Sequence, residues 1–365
     1  MKYITNSDTI IFDWKFDEEL DIGLISPYKK IIFSNYELSN KLFEHYANND
    51  LNNLGYFSNI FNKNVSNLHP TLNHLIFGYR FNKSVSELPQ NLTHLIFGYN
   101  FNQDVSNLPS SLTHLVFCYS FNHDVSKLPL KITHLTFGEK FNKNISELPY
   151  SLTHLIFYNN GNFNKNISKL PQNITHLELS RQFNQDVSKL PNEITYLIFG
   201  HDFNQDVSNL PINLTYLIFG SLFNQDVSVL PPSITHLTFG YEFNQDVFVL
   251  PPSITHLTFG YEFNQDVSVL PPSITHLTFG YKFMKKCNTP PNIKYLTLNT
   301  NNQYMIDSLP NSVIELNLGY YFNLQMDNLP TSIKKLVINK ISNYNTDLNC
   351  LPNFIEELQL NKSYN

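Results

Sequence analysis

Along most of the chain the apolar positions recur in one fixed order. The stretch "PSITHLTFGYEFNQDVSVLP" ends at Pro271, and near-identical stretches precede and follow it. Within a neighbouring copy, Thr275-His276-Leu277-Thr278-Phe279 alternates, so Leu277 and Phe279 share one face while His276 and Thr278 share the other. That alternation predicts a short strand with an apolar side and an outward side. Gly280 follows and is expected to relieve a tight turn. The residues left before the next strand contain proline and are too few for a helix, so the return should be extended or a brief 3₁₀ turn.

The order keeps strict time. Phe61, Phe81, Phe101, Phe121 and Phe141 step by one coil each, and an insertion at Tyr158 to Asn162 delays the next to Phe163. Phe183, Phe203, Phe223, Phe243 and Phe263 then resume the step. A fixed period of about twenty residues is the mark of a solenoid, in which each coil buries its apolar side only against its neighbours. The predicted fold is a mainly β repeat solenoid, with one parallel sheet and an irregular or 3₁₀ return side. About fifteen coils are recognisable.

One coil offers Leu257, Phe259, Phe263, Val267, Leu270 and Ile274 to the interior. Each stabilises by roughly 1.5–3 kcal/mol when buried, against the ordering of a whole coil, so a lone coil could not stand and a stack could. The asparagine after each turn phenylalanine, as at Asn102, Asn184 and Asn244, is expected to point inward and satisfy backbone groups of its own turn and the next coil.

The outward strand positions form two columns. The first is His74, His94, His114, His134, His154, His176, Tyr196, Tyr216, His236, His256 and His276. The second is Ile76, Ile96, Val116, Thr136, Ile156, Glu178, Ile198, Ile218, Thr238, Thr258 and Thr278. Two readings of these columns stand side by side. One is duplication, which copies whatever residue fills a tolerated position. The other is a partner-binding strip, because aromatic and apolar side chains are what interface cores favour. The candidate contact residues are His94, His114, His134, His154, His176, Tyr196, Tyr216, His236, His256 and His276, with Ile96, Ile156, Ile198 and Ile218 beside them. Adjacent imidazolium charges about 4.8 Å apart would repel, so the column should be neutral at pH 7 with depressed pKa values.

Composition narrows the field. The apolar fraction of 42% supports a core, and the 30 Phe and 21 Tyr make it an aromatic one. A net charge of −6 without a basic stripe speaks against nucleic acid as partner. Cys118, Cys287 and Cys350 lie far apart without metal-ligand spacing, which points to free thiols in a reducing, cytoplasmic setting. No stretch is long and apolar enough for a membrane helix, and no leader pattern opens the chain. There is no phosphate-cradling loop, HExxH, CxxC or nucleophile elbow. The expectation is therefore no enzyme, no cofactor, no metal, no small-molecule substrate, and an unidentified protein partner.

The words "FNQDVSNLPSSLTHLVF" and their siblings resemble the FNIP repeat, a short leucine-rich-repeat variant found chiefly in social amoebae and giant viruses of amoebae. The resemblance runs from Phe61 to Phe283, with weaker copies to Leu360. The Ile-Pro usual after the FN pair is replaced here by Gln-Asp-Val or Lys-Asn-Ile, and Asn264 arrives two positions later than the leucine-rich pattern places it. The resemblance implies an interaction scaffold without catalytic residues. Some members join an F-box to the repeats and act as ubiquitin-ligase adaptors, an alternative that would need an F-box-like segment within residues 1–60. That stretch instead holds worn copies of the coil: "YKKIIFSN" aligns with "LNHLIFGY", and Asn40 to Tyr46 reads as a short helix. The expected organisation is a degenerate N-terminal cap over 1–60, regular repeats over 61–300, and divergent coils with a charged outer column (Glu315, Lys335, Glu357) over 301–365.

Overall fold

The computed structural model describes residues 2–34, 59–287, 289–319, 324, 326, 328–338, 351 and 353–360. The chain forms two compact units, Met1–Gln185 and Asp186–Asn365. Each is a solenoid of three- or four-residue parallel strands joined by turn-rich returns. The first unit opens with Tyr3–Thr5, antiparallel to Thr9–Phe12, and the parallel stack then runs through Lys30–Phe33 to His176–Glu178. The second runs from Tyr196–Ile198 to Glu357–Leu360. Two short helices, Ile22–Ile25 and Gln303–Asp307, are the only ones among the described residues. The expected helix at Asn40 to Tyr46 and the thiol of Cys350 lie outside those residues.

Register follows the repeat, residue on like residue. His94 pairs with His114, Leu95 with Leu115, and Ile96 with Val116. Lys30 pairs with His74 and Ile31 with Leu75, as the alignment of the N-terminal copy requires. The return side contains no continuous 3₁₀ segment among the described residues. It is a chain of separate turns: Phe101 N–H donates to Gly98 O at 3.3 Å, Leu128 N–H to Val125 O at 3.4 Å, and Leu112 N–H to Pro109 O at 3.2 Å. Asp104 fastens the bend between them, its carboxylate accepting from the amide and the hydroxyl of Ser106.

The core is aromatic, as composition suggested. Ile254, Leu257, Phe259, Phe263, Val267, Leu270 and Ile274 are all buried. Strand and turn phenylalanines of one coil stack at 3.6 Å, as in Phe97 on Phe101. Successive coils then place Phe97 on Phe117 at 5.4 Å and Phe101 on Phe121 at 6.2 Å.

Two expectations need correction. The glycine after each strand answers to a neighbour and not to its own turn. A Cβ at Gly240 would lie 1.8 Å from the carbonyl oxygen of Gly220, and one at Gly260 would lie 1.7 Å from that of Gly240. Gly98, Gly138, Gly220, Gly240, Gly260 and Gly280 each admit the backbone of the preceding coil. The asparagines form the expected ladder but at the surface, partly or fully exposed. Asn82 Oδ1 accepts from Asn102 N–H, Asn102 Oδ1 from Asn122 N–H, and Asn122 Oδ1 from Asn142 N–H. In the second unit the ladder runs from Asn204 through Asn264, where Met284 takes the last bond through its amide and offers no oxygen to continue it.

Two substitutions separate these roles. Asn122→Ala leaves the Asn142 amide without its acceptor and is expected to lower stability by roughly 1–3 kcal/mol. Gly240→Ala drives a methyl into a carbonyl of the adjoining coil and should cost more, about 3 kcal/mol or above. Urea titration of each variant beside the wild type measures both; an Ala at Gly240 tolerated as well as one at Asn122 would refute the close-approach account.

Candidate functional site

Ring spacing shows which way each sheet bends. Neighbouring strands sit about 4.8 Å apart. In the first unit the imidazoles on the outer side are closer: His74 to His94 is 4.1 Å, His94 to His114 is 4.2 Å, and His134 to His154 is 4.1 Å. The inner phenylalanines are wider apart than the strands. The outer face is therefore the inside of the bend, and crowding there half-buries its residues. His256 on His276 repeats the pattern in the second unit at 3.9 Å, and Tyr196 stacks on Tyr216 at 4.5 Å.

That crowding corrects the picture of an open strip. His94, His114, His134, His154, His176, Tyr196, Tyr216, His236, His256, His276, Ile156, Ile198 and Ile218 do share the outer face, but each is half-buried. Ile96 is fully buried, with Ile76, Tyr79 and Val116 packed against it.

Each histidine is also tied to the coil before it. Thr113 Oγ1 lies 3.1 Å from Thr93 O and 2.9 Å from His114 Nδ1. Thr133 and His134, and Thr153 and His154, repeat both contacts. A hydroxyl has one proton. The carbonyl already accepts the Thr113 and His114 amides, so the hydroxyl joins carbonyl and ring, and Nδ1 is committed to this contact while Nε2 is left for other partners. Constancy of the histidine thus has a structural cause: the ring stacks and ends an inter-coil hydrogen-bond chain.

The same surroundings disfavour the imidazolium. Burial, and then the charges that neighbouring histidines would bear, lower His94, His114, His154 and His256 to about 4. His74 also falls to about 4, through burial and then Lys30. His134, His176 and His276 are lowered too, each chiefly by burial. At the C-terminal end of the column the signs alternate: Lys335 stands 3.8 Å from Glu315 and 3.7 Å from Glu357.

A cavity of about 430 Å³ interrupts this regular face in the first unit. His114, His134 and His154 line it, with Val116, Thr136 and Ile156 beside them and Tyr99, Tyr119 and Tyr158 along one flank. Four departures from the repeat converge there. Cys118 replaces the glycine, Glu139 continues a column that is otherwise Tyr79, Tyr99 and Tyr119, Glu178 replaces an aliphatic residue, and the insertion contributes Tyr158 and Asn159. Reading the sequence coil by coil finds each irregularity but not their meeting point. Their spacing by whole coils was the available signal.

The chemistry of the cavity is that of recognition. Burial pushes the Cys118 thiol up to about 12, so it stays protonated beside the neutral histidines and is no nucleophile. Burial, the hydrogen bond with Tyr119 and the Tyr119, Tyr79 and Glu139 charges hold the Tyr99 phenol at about 12. Burial also raises Glu178 above the usual carboxylate range. Among the described residues no group of three or more His, Cys, Asp or Glu side chains could hold a metal ion. No helix there is long and apolar enough to cross a membrane.

Strand, glycine contact, asparagine ladder and apolar spine together define a leucine-rich-repeat-like solenoid. A family profile described as FNIP Repeat matches residues 85–140, 163–282 and 284–340 in overlapping segments. The chain belongs to the FNIP repeat family. Its fold is similar to that of CroV588, described as a circular leucine-rich-repeat protein, at 35% identity and a TM-score of 0.72. The match covers 99% of this chain and 60% of that one, so this chain spans less than two thirds of that protein's length. YopM of Yersinia enterocolitica shares the fold at 19% identity and a TM-score of 0.57, covering 95% of this chain and 76% of its own. The functional domain of InlJ from Listeria monocytogenes does so at 16% identity and 0.53, covering 92% and 75%. Comparison with curated protein sequences returns no match. Folds of this class typically serve as protein-interaction scaffolds.

The histidine column sets a pH dependence. A base whose folded pKa lies below 6.5 contributes stability that is full above 6.5 and is lost as pH falls through the folded value, about 4 here. Asp104 and Asp124, held below 3.8 by their Ser106 and Ser126 hydrogen bonds, are lost only under still more acidic conditions. Melting temperature should therefore fall between pH 6.5 and 4. Replacing His94 and His114 with Asn should flatten that slope; a midpoint constant across the window would contradict the account.

Proposed function

We propose that the chain is a non-catalytic protein-interaction scaffold whose contact surface is the outer face of its sheet. The observation that carries this reading is the composition of that face. It combines stacked aromatic rings and aliphatic side chains on the inside of a bend. Half-buried apolar and aromatic groups lose little ordering entropy on contact, since packing already holds their rotamers. The free, buried thiols of Cys118 and Cys287 support a reducing, cytoplasmic setting. The acidic balance favours a protein over nucleic acid as partner.

A ubiquitin-ligase adaptor is the weaker alternative. Within residues 1–60, the strands Thr9–Phe12 and Lys30–Phe33 belong to the repeat stack, so an F-box would have to lie outside both strands.

The test is affinity capture with the full chain and two variants. One carries His114→Ala, His134→Ala and His154→Ala; the other carries Lys127→Ala, Lys169→Ala and Lys189→Ala on the return side. Circular dichroism first establishes that both fold. Bound proteins are expected to disappear with the histidine variant and persist with the lysine variant. Retention of every partner by a folded histidine variant would remove the outer face as the binding surface.

A further inference from the structure

The four irregularities that meet in the first unit's cavity share a chemical theme. Glu139 and Glu178 are carboxylates without an ion-pair or hydrogen-bond partner for either side chain among the described residues. Arg181, close in sequence to Glu178, is exposed and pairs with neither. His114, His134 and His154 commit Nδ1 to threonine and leave Nε2 for another partner. Tyr99 and Tyr119 stack at 4.2 Å along the flank. The site is rich in acceptors, negatively charged and edged by aromatic rings.

The tyrosine columns show what such faces hold. Lys140 Nζ sits 5.3 Å from the centre of the Tyr119 ring, and in the second unit Lys282 Nζ sits 5.9 Å from that of Tyr261. Cation–π attraction to these rings is thus already in use in both units. Lys282 also has Glu262 to neutralise it, at 2.7 Å. In the cavity the two carboxylates have no such cation.

We propose that this cavity receives an arginine side chain from an extended segment of the partner protein. The inference rests on the outer face being the binding surface and adds what that face recognises. A guanidinium is planar and carries five donors in a fixed fork. It can lie against the tyrosine edge, give a paired contact to one carboxylate and spend its remaining donors on the second carboxylate. An ammonium has the charge but neither the plane nor the fork. The volume of about 430 Å³ exceeds what one side chain fills, leaving room for flanking backbone against Val116 and Ile156. Glu178, whose ionisation burial disfavours, becomes easier to ionise once a cation arrives.

The experiment uses the full chain and N-acetyl-arginine methylamide, with the citrulline and lysine analogues as comparators. Citrulline keeps the shape of arginine and removes its charge. Binding is followed through the imidazole proton resonances of the histidines, up to about 10 mM probe, a range that detects millimolar affinity. The arginine probe should shift the His114, His134 and His154 signals and leave His256 unmoved. Citrulline should not shift them, and lysine should bind more weakly. Glu139→Gln with Glu178→Gln should weaken the arginine probe by about tenfold or more, while the melting temperature stays near that of the wild type. Equal binding of citrulline, unchanged affinity in the double variant, or no shift at all would overturn the proposal. If those results come with partners lost by the histidine variant, the scaffold reading stands and only the arginine is wrong. Arginine binding alongside partners that all survive the histidine variant would instead remove the outer face as the partner-binding surface, and with it the assignment of the arginine to a partner.

Discussion

A coil that pairs in register with its own copy sets every residue against another of the same kind. That constraint selects the chemistry of the whole repeat. Asparagine satisfies it because its side-chain oxygen accepts from the next asparagine's amide, so one residue type both gives and receives. Threonine satisfies it through a hydroxyl that reaches the preceding threonine's carbonyl. Phenylalanine and tyrosine stack, and glycine yields room to another backbone. Like charges satisfy it where a local bond holds each of them, as Asp206 and Asp226 on the return side are held by Ser208 and Ser228. On the sheet, burial and like neighbours disfavour the charged form of His114, and at the C-terminal end Lys335 stands between Glu315 and Glu357.

Period, inward set and strand register were all open to reading from the chain, because each is a property of a single coil multiplied. Leu257, Phe259 and Phe263 declare themselves by alternation and spacing alone. What lay beyond reach belongs to the relation between coils. The glycine looks like a turn residue until the carbonyl of Gly220 is seen against Gly240. Asn102 looks like an inward staple, yet the ladder it joins runs along the surface. Ile96 alternates like an outward residue and is buried all the same, since a bend crowds the face that a flat strand pattern would leave open.

The cavity was hidden for a related reason. Cys118, Glu139, Glu178 and the insertion at Tyr158 sit in different coils and at different positions of the repeat. Each taken singly resembles drift. Only stacking brings them to one place, and there a run of otherwise uniform coils acquires a local identity. The regular residues supply rigidity and a row of stacked imidazoles, while the irregular ones supply charge and an edge. Specificity in such a protein resides in the exceptions.

The glycine contact has an evolutionary reading as well. Within a stack, every junction joins a coil to its own likeness, so the seam made by adding or deleting a whole coil is identical to the seams already there. Unequal recombination can therefore change copy number inside a stack without inventing a new interface. Where glycine stands against glycine, from Gly220 to Gly280, a shift by part of a coil would set a side chain against a neighbour's carbonyl, and that run keeps the step from Phe203 to Phe283 without variation. Where the column departs from glycine, at Cys118, Tyr158 and Ser180, the stack also admits the insertion that lengthens one coil.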